Sequence, residues 1–207
     1  MKEGTIFTVD QIGRSGFSIP YLDGSLSISR ASRTFPQYLI FKPSMIITGI
    51  LLFYYWNNNN NLICKIRNTE NFKYKFRLFG ILSAVFLIIH SIFLGIKFDN
   101  DFYKLFRRVI LLAFIIFEIV AQAFLVSTLY SFKNNLLNFA NFYILKIKIV
   151  LVSILIIVAV ISIPIISLPG DEFMGFTLKF FKHGLEWNYF LGVITFYLLT
   201  FFMWKKN

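Results

Sequence analysis

Cysteine is almost absent from this chain: Cys64 stands alone among 207 residues, so no internal disulfide can hold the fold. Histidine is nearly as scarce. His90 and His183 have no cysteine beside them, so a three-ligand zinc centre would need carboxylates for the rest, and no metal and no cofactor is expected. No phosphate-cradling glycine loop, nucleophile elbow or paired metal-ligand spacing occurs, and the serines are too many and too ordinary to nominate a nucleophile. Charge is thin as well, at 15% of residues where a soluble domain averages about 25%. Acids are the scarcer sign, with 10 Asp and Glu against 21 Lys and Arg, a net charge of +11. Such a surplus suits nucleic acid only when it gathers on one surface. Here the basic residues sit between apolar segments, as juxtamembrane lysines and arginines do, so no nucleic-acid partner is expected. Nothing resembles a flexible linker between two cores, which favours one domain. No repeat at a fixed period is visible, so a transporter built from duplicated halves gains no support. The stretch from Met1 to Pro36 lacks the short apolar core of a cleaved signal peptide.

What the chain has is apolar surface, with 57% hydrophobic and 19% aromatic residues. Five runs stand out, from about Gln37 to Trp56, Phe76 to Ile96, Val109 to Phe132, Ile147 to Leu168 and Trp187 to Trp204. A bilayer core of about 30 Å at 1.5 Å per residue requires roughly this length of helix. Each run is apolar round its whole circumference, which suits lipid better than one stripe facing a core. The predicted fold is an all-α membrane protein, a five-helix bundle over residues 37–207 preceded by an extended or amphipathic segment, 1–36. Tyr54, Tyr55, Trp56, Trp187, Tyr189 and Trp204 fall where headgroups would lie. The run Asn57 to Asn61 is expected to end the first span, since asparagine favours turns. It carries no Ser or Thr two residues on, so it offers no glycosylation acceptor. Pro164 is a candidate kink in the fourth span, and Phe173 to Lys182 is expected as a short helix lying in the interface.

Basic residues divide evenly between the two sides of this topology. Lys2, Arg14, Arg30, Arg33, Lys97, Lys104, Arg107, Arg108, Lys179 and Lys182 lie on one side. Lys65, Arg67, Lys73, Lys75, Arg77, Lys133, Lys146, Lys148, Lys205 and Lys206 lie on the other. The acids, of which only Glu70 is on the second side, break the tie toward a cytoplasmic C-terminus in a plasma or inner membrane.

Ile28, Ser29, Pro36, Tyr38 and Phe41, an Ile-Ser pair followed by proline and an aromatic-aliphatic helix, form the first of two stretches with a recognisable pattern. The second is "HGLEWNYFLGVITFYLLTFF", where the last span starts with the pair Glu186 and Trp187. Together they resemble a family of polytopic membrane proteins: the damage-regulated autophagy modulators (DRAM-like), the suppressor-of-four-kinase proteins and the GPI-lipid-remodelling proteins. The chain differs at Arg30, where the family commonly has an acid, and has five spans where the family usually has six. The resemblance implies a role in membrane lipid homeostasis or autophagy with no defined catalysis.

An ionisable side chain near the bilayer centre costs about 2.5 to 3.5 kcal/mol and usually marks either packing or function. Glu118 lies in the middle of the third span with Gln122 one turn later, and His90 lies in the second span beside Ser91. From their places on antiparallel helices, His90 and Glu118 should differ in depth by about 5 Å, close enough for side chains to meet. Such a pair would serve proton handling, headgroup binding or a buried structural bond. Ser29, Arg30, Arg33 and Lys42 are the candidates for an anionic lipid headgroup, because Ser25, Ser27 and Ser29 alternate with apolar residues and arginine grips phosphate through a fixed fork of donors. Lys42 beside Pro43 suits an interfacial anchor whose ammonium snorkels outward. His183 and Glu186, three residues apart before the last span, are further acid-base candidates. The expected function is a lipid-interacting membrane protein with membrane lipids as partners. The alternatives are a lipid-modifying enzyme using His90, Glu118, His183 and Glu186, and a small transporter or channel passing Glu118 and Gln122.

Overall fold

A computed structural model describes residues 19–25, 27–28, 32, 37–67, 69, 72–94, 101–136, 139–167, 172–173 and 176–205. Among the described residues it is all-α apart from one small hairpin. The elements are α1 (Pro20–Asp23), α2 (Gln37–Arg67), α3 (Lys75–Phe93), α4 (Asp101–Ser131), α5 (Lys133–Leu136), α6 (Phe142–Ser167), β1 (Glu172–Phe173), β2 (Phe176–Thr177) and α7 (Leu178–Met203). Five of these helices, α2, α3, α4, α6 and α7, are long and apolar enough to cross a membrane. The chain is therefore a polytopic helical membrane protein.

Hydropathy marks the lipid-immersed part of a helix and not its full length. Several helices accordingly continue past the apolar runs. α2 passes through all five asparagines to Arg67. Instead of turning the chain, the asparagines bond inward. Asn59 Nδ2 donates to Tyr55 O, and Asn57 Nδ2 to Phe53 O, each 2.8 Å away one turn back. Asn60 is buried and holds the following connection from both ends: it donates to Phe72 O at 3.1 Å and accepts from Tyr74 N at 2.9 Å. Asn57 Oδ1 accepts from Arg77 Nε at 2.7 Å. α6 continues through Pro164 to Ser167. The stretch from Phe173 to Lys182 is not one separate helix: it contains the antiparallel pair β1–β2, and Leu178 to Lys182 form the first turn and more of α7.

The described residues fall in two compact units, one within Met1–Phe41 and Leu155–Thr195, the other within Lys42–Ile154 and Phe196–Asn207. In the first, α1 lies on the N-terminal part of α7. Asp23 closes α1 by accepting from Ile19 N at 3.0 Å and from Ser25 N at 2.8 Å. Gly24 then turns at φ 59°, and a side chain there would overlap the Phe180 carbonyl, so the position needs glycine twice over. The Tyr21 and Trp187 rings meet at 5.1 Å, and Asn188 Nδ2 donates to Tyr21 O at 2.8 Å.

The second unit contains a core that includes Leu52, Trp56, Phe76, Leu87, Leu125, Leu145 and Phe196. In it α3 packs along α4. Phe79, Phe86 and Phe93 recur every seven residues along α3 and meet α4 rings: Phe79 meets Phe124 at 5.6 Å, Phe86 meets Phe117 at 5.5 Å, and Phe93 meets Phe106 at 5.4 Å. Beside this aromatic seam α3 buries the small residues Gly80, Ser83, Ala84 and Ser91, which let helix backbones approach where lipid gives no hydrophobic drive for association. Gly80 makes room for the buried Trp56 indole, which a side chain at that position would overlap.

Candidate functional site

Five polar or charged side chains are buried in the second unit within one string: Ser83, Glu118, Gln122, Lys148 and Thr200. Glu118 is fully buried on α4, and three donors converge on its two oxygens. Gln122 Nε2 donates to Oε1 at 2.9 Å, the Tyr197 hydroxyl donates to the same oxygen, and Ser83 Oγ lies 2.7 Å from Oε2. Lys148 is fully buried on α6, with its Nζ donating to Thr200 Oγ1 at 2.5 Å and lying 3.9 Å from the centroid of the Phe196 ring. Thr200 ties this end to α2, since the Tyr55 hydroxyl is 3.0 Å from its Oγ1. The Tyr55 ring stands edge-on to Tyr197, with centroids 4.9 Å apart. Every candidate span therefore supplies a member: Tyr55, Ser83, Glu118, Lys148, and Tyr197 with Thr200.

This geometry revises the expected pairing. Glu118 is not bonded to His90. Its partner on α3 is Ser83, seven residues earlier and thus about 10 Å further along the axis. His90 is buried near the end of α3, beside Ser91, whose hydroxyl donates to Leu87 O at 2.8 Å. His183 is buried in the other unit, with Nδ1 2.9 Å from Gly24 O, a contact that fixes α1 against α7, whereas Glu186 is exposed. Lys42 is half-buried in the second turn of α2. Ser29, Arg30 and Arg33 lie outside the described residues. Ser25 and Ser27, part of the same comb, are buried rather than turned outward.

Lys148, Tyr55 and Tyr197 were not among the expected site residues. Counting Lys148 as juxtamembrane followed from starting the fourth span at Ile147. The helix begins at Phe142, which carries Lys148 about 9 Å inward. A lysine between isoleucines one turn inside an apolar run is the signal that would have found it.

At one end of the second unit the basic residues collect. Asn141 N donates to Met203 O at 2.8 Å and Lys205 N to Phe139 O at 2.9 Å, joining the entry of α6 to the exit of α7. Arg67 lies 4.1 Å from the centroid of the Phe132 ring and donates to the Tyr74 hydroxyl at 3.0 Å, joining the α2–α3 connection to the end of α4. Lys65, Arg67, Lys73, Lys75, Lys133, Lys146 and Lys205 are exposed there, and Arg77 is half-buried. The sequence supplies this end with a single acid, Glu70. No group of three His, Cys, Asp or Glu among the described residues has a metal-binding arrangement. Comparison with protein-family models, curated proteins and solved structures finds no match.

Proposed function

We propose that this multi-pass membrane protein engages anionic lipid headgroups through its basic end, in a membrane-homeostasis role of the kind the DRAM-like resemblance implies, without catalysis of its own. The observation that carries the reading is the set of seven exposed lysines and arginines at or near the ends of α2, α4, α6 and α7 and the start of α3. A basic cluster beside membrane-crossing helices attracts the anionic leaflet by about 1 kcal/mol per lysine or arginine. The scarcity of acids at this end, where the sequence has only Glu70, favours a cytoplasmic side for it and for the C-terminus. Glu118 and Lys148 are committed to bonds between helices, which leaves headgroup contacts to the charges at the helix ends.

Purification in nanodiscs made from native membranes, followed by mass spectrometry of the retained lipids, tests this. Replacing Lys73, Lys75 and Lys146 together by Ala is expected to lower anionic-lipid enrichment roughly tenfold or more, while Arg30→Ala with Arg33→Ala leaves it near the unaltered level. Equal enrichment in all three proteins, or a loss confined to the Arg30 and Arg33 variant, would overturn the assignment to the basic end.

A further inference from the structure

The string through the second unit contains an imbalance of hydrogens that a binding site for headgroups does not explain. At the Glu118 end there are more acceptors than donors. Ser83 Oγ has one hydrogen, yet two acceptors lie within bonding distance, Gly80 O at 2.8 Å and Glu118 Oε2 at 2.7 Å. Gln122 Oε1 is buried and has no donor among the described residues. At the Lys148 end the imbalance is reversed. An ammonium carries three hydrogens, and Nζ has one hydroxyl acceptor, Thr200 Oγ1, and the face of the Phe196 ring. Among the described residues neither end has an oppositely charged partner in contact: the bonded neighbours of Glu118 are a serine, a glutamine and a tyrosine, and that of Lys148 is a threonine.

We infer that Glu118 and Lys148 form one intramembrane proton-binding site, spanned by the Lys148–Thr200–Tyr55 and Tyr197–Glu118 hydrogen bonds with the Tyr55 and Tyr197 rings in edge contact between them, in which a single proton is held at either end. In one form the site holds a carboxylate and an ammonium. In the other the Nζ–H bond is broken and an Oε2–H bond is formed, giving an amine and a carboxyl with no change in total charge. The second form supplies the missing hydrogen: Oε2–H donates to Ser83 Oγ, which frees the Ser83 hydrogen for Gly80 O. The amine of Lys148 has a lone pair, and the Thr200 hydroxyl, which otherwise donates to Phe196 O at 3.1 Å, can turn to donate to it. Isolated charges are expensive in this environment, so the proton occupancies of the two groups depend on one another. The titratable groups facing the string are Tyr55 from α2, Glu118 from α4, Lys148 from α6 and Tyr197 from α7; α3 contributes the Ser83 hydroxyl. Thr200 lies three residues before the end of α7, so the Lys148 end is the short way to water. This inference stands whether or not the basic end binds lipid.

Infrared difference spectroscopy of the full chain in liposomes, recorded across a pH series, reads the carboxyl C=O stretch directly. A pH-dependent component beyond that of the other nine acids is expected in the unaltered protein, lost in Glu118→Gln, and displaced by more than about one pH unit in both Lys148→Met and Thr200→Val. Thr200→Val removes only the linking hydroxyl and is nearly isosteric, so it keeps the test valid if Lys148→Met fails to fold. Two results would overturn the inference: spectra of the unaltered protein and Glu118→Gln that match across the pH series, or a Glu118 component unmoved in Thr200→Val.

Discussion

Glu118 could be picked out from the sequence because a carboxylate between isoleucines and phenylalanines needs a partner in hydrocarbon. Its partners could not. Ser83, Tyr197 and Thr200 are residue types common in membrane helices, and only the packing of the helices shows which hydroxyls point inward. Lys148 was hidden for a different reason: positive charges near span ends are so common that one a single turn deeper is taken for an anchor. Tyr55 was expected at the headgroup level with Trp56 and instead bonds Thr200, because α2 runs on for eleven residues beyond Trp56 to Arg67. Gly80 shows the same limit at the smallest scale. A glycine in an apolar run has no visible purpose until the Trp56 indole is seen to fill its place. Gly80→Ala should destabilise the protein by about 1 to 3 kcal/mol through overpacking, read as a lower midpoint in a thermal solubility assay in detergent. The double variant with Trp56→Phe should recover part of that loss. Equal loss in the single and double variants would show that Gly80 matters for something other than the indole.

Among the elements, the five helices were legible and their ends were not. An all-round apolar run of about twenty residues admits few alternatives, whereas the path of the chain beyond the run depends on whether polar residues find bonds within the fold. The asparagine run makes the case: turn propensity argues for a break, and the observed helix persists because Asn59 and Asn57 satisfy themselves one turn back while Asn60 binds both Phe72 O and Tyr74 N. Asn60→Ala would leave the Tyr74 amide without its acceptor and Phe72 O with only the Cys64 thiol as donor, at a cost of about 1 to 3 kcal/mol. Faster amide hydrogen exchange at Tyr74 is therefore expected in Asn60→Ala, with little change in Asn58→Ala, whose side chain is exposed. Similar exchange rates in the two variants would mean that the run does not hold the connection. The N-terminal part of α7 gives a parallel lesson. His183 suggested acid-base chemistry by its spacing from Glu186, and the fold uses its ring to hold Gly24 against the helix, a role that depends on a contact 159 residues away in sequence.

Across the whole molecule, the sequence sorts the basic residues into two sides and the second unit gathers one of those sides into a single end, through contacts of Arg67 with Phe132 and of residues 139–141 with 203–205. The lipid reading and the orientation both depend on this arrangement, and it in turn depends on five helices crossing the bilayer. The most direct measurement labels single cysteines in sealed vesicles with a membrane-impermeant maleimide, in a Cys64→Ser background. Lys133→Cys and Lys205→Cys should react from the same face, and Asp101→Cys only from the opposite one. Reaction of Asp101→Cys and Lys205→Cys from one face in intact vesicles would contradict a chain that crosses the membrane between them an odd number of times.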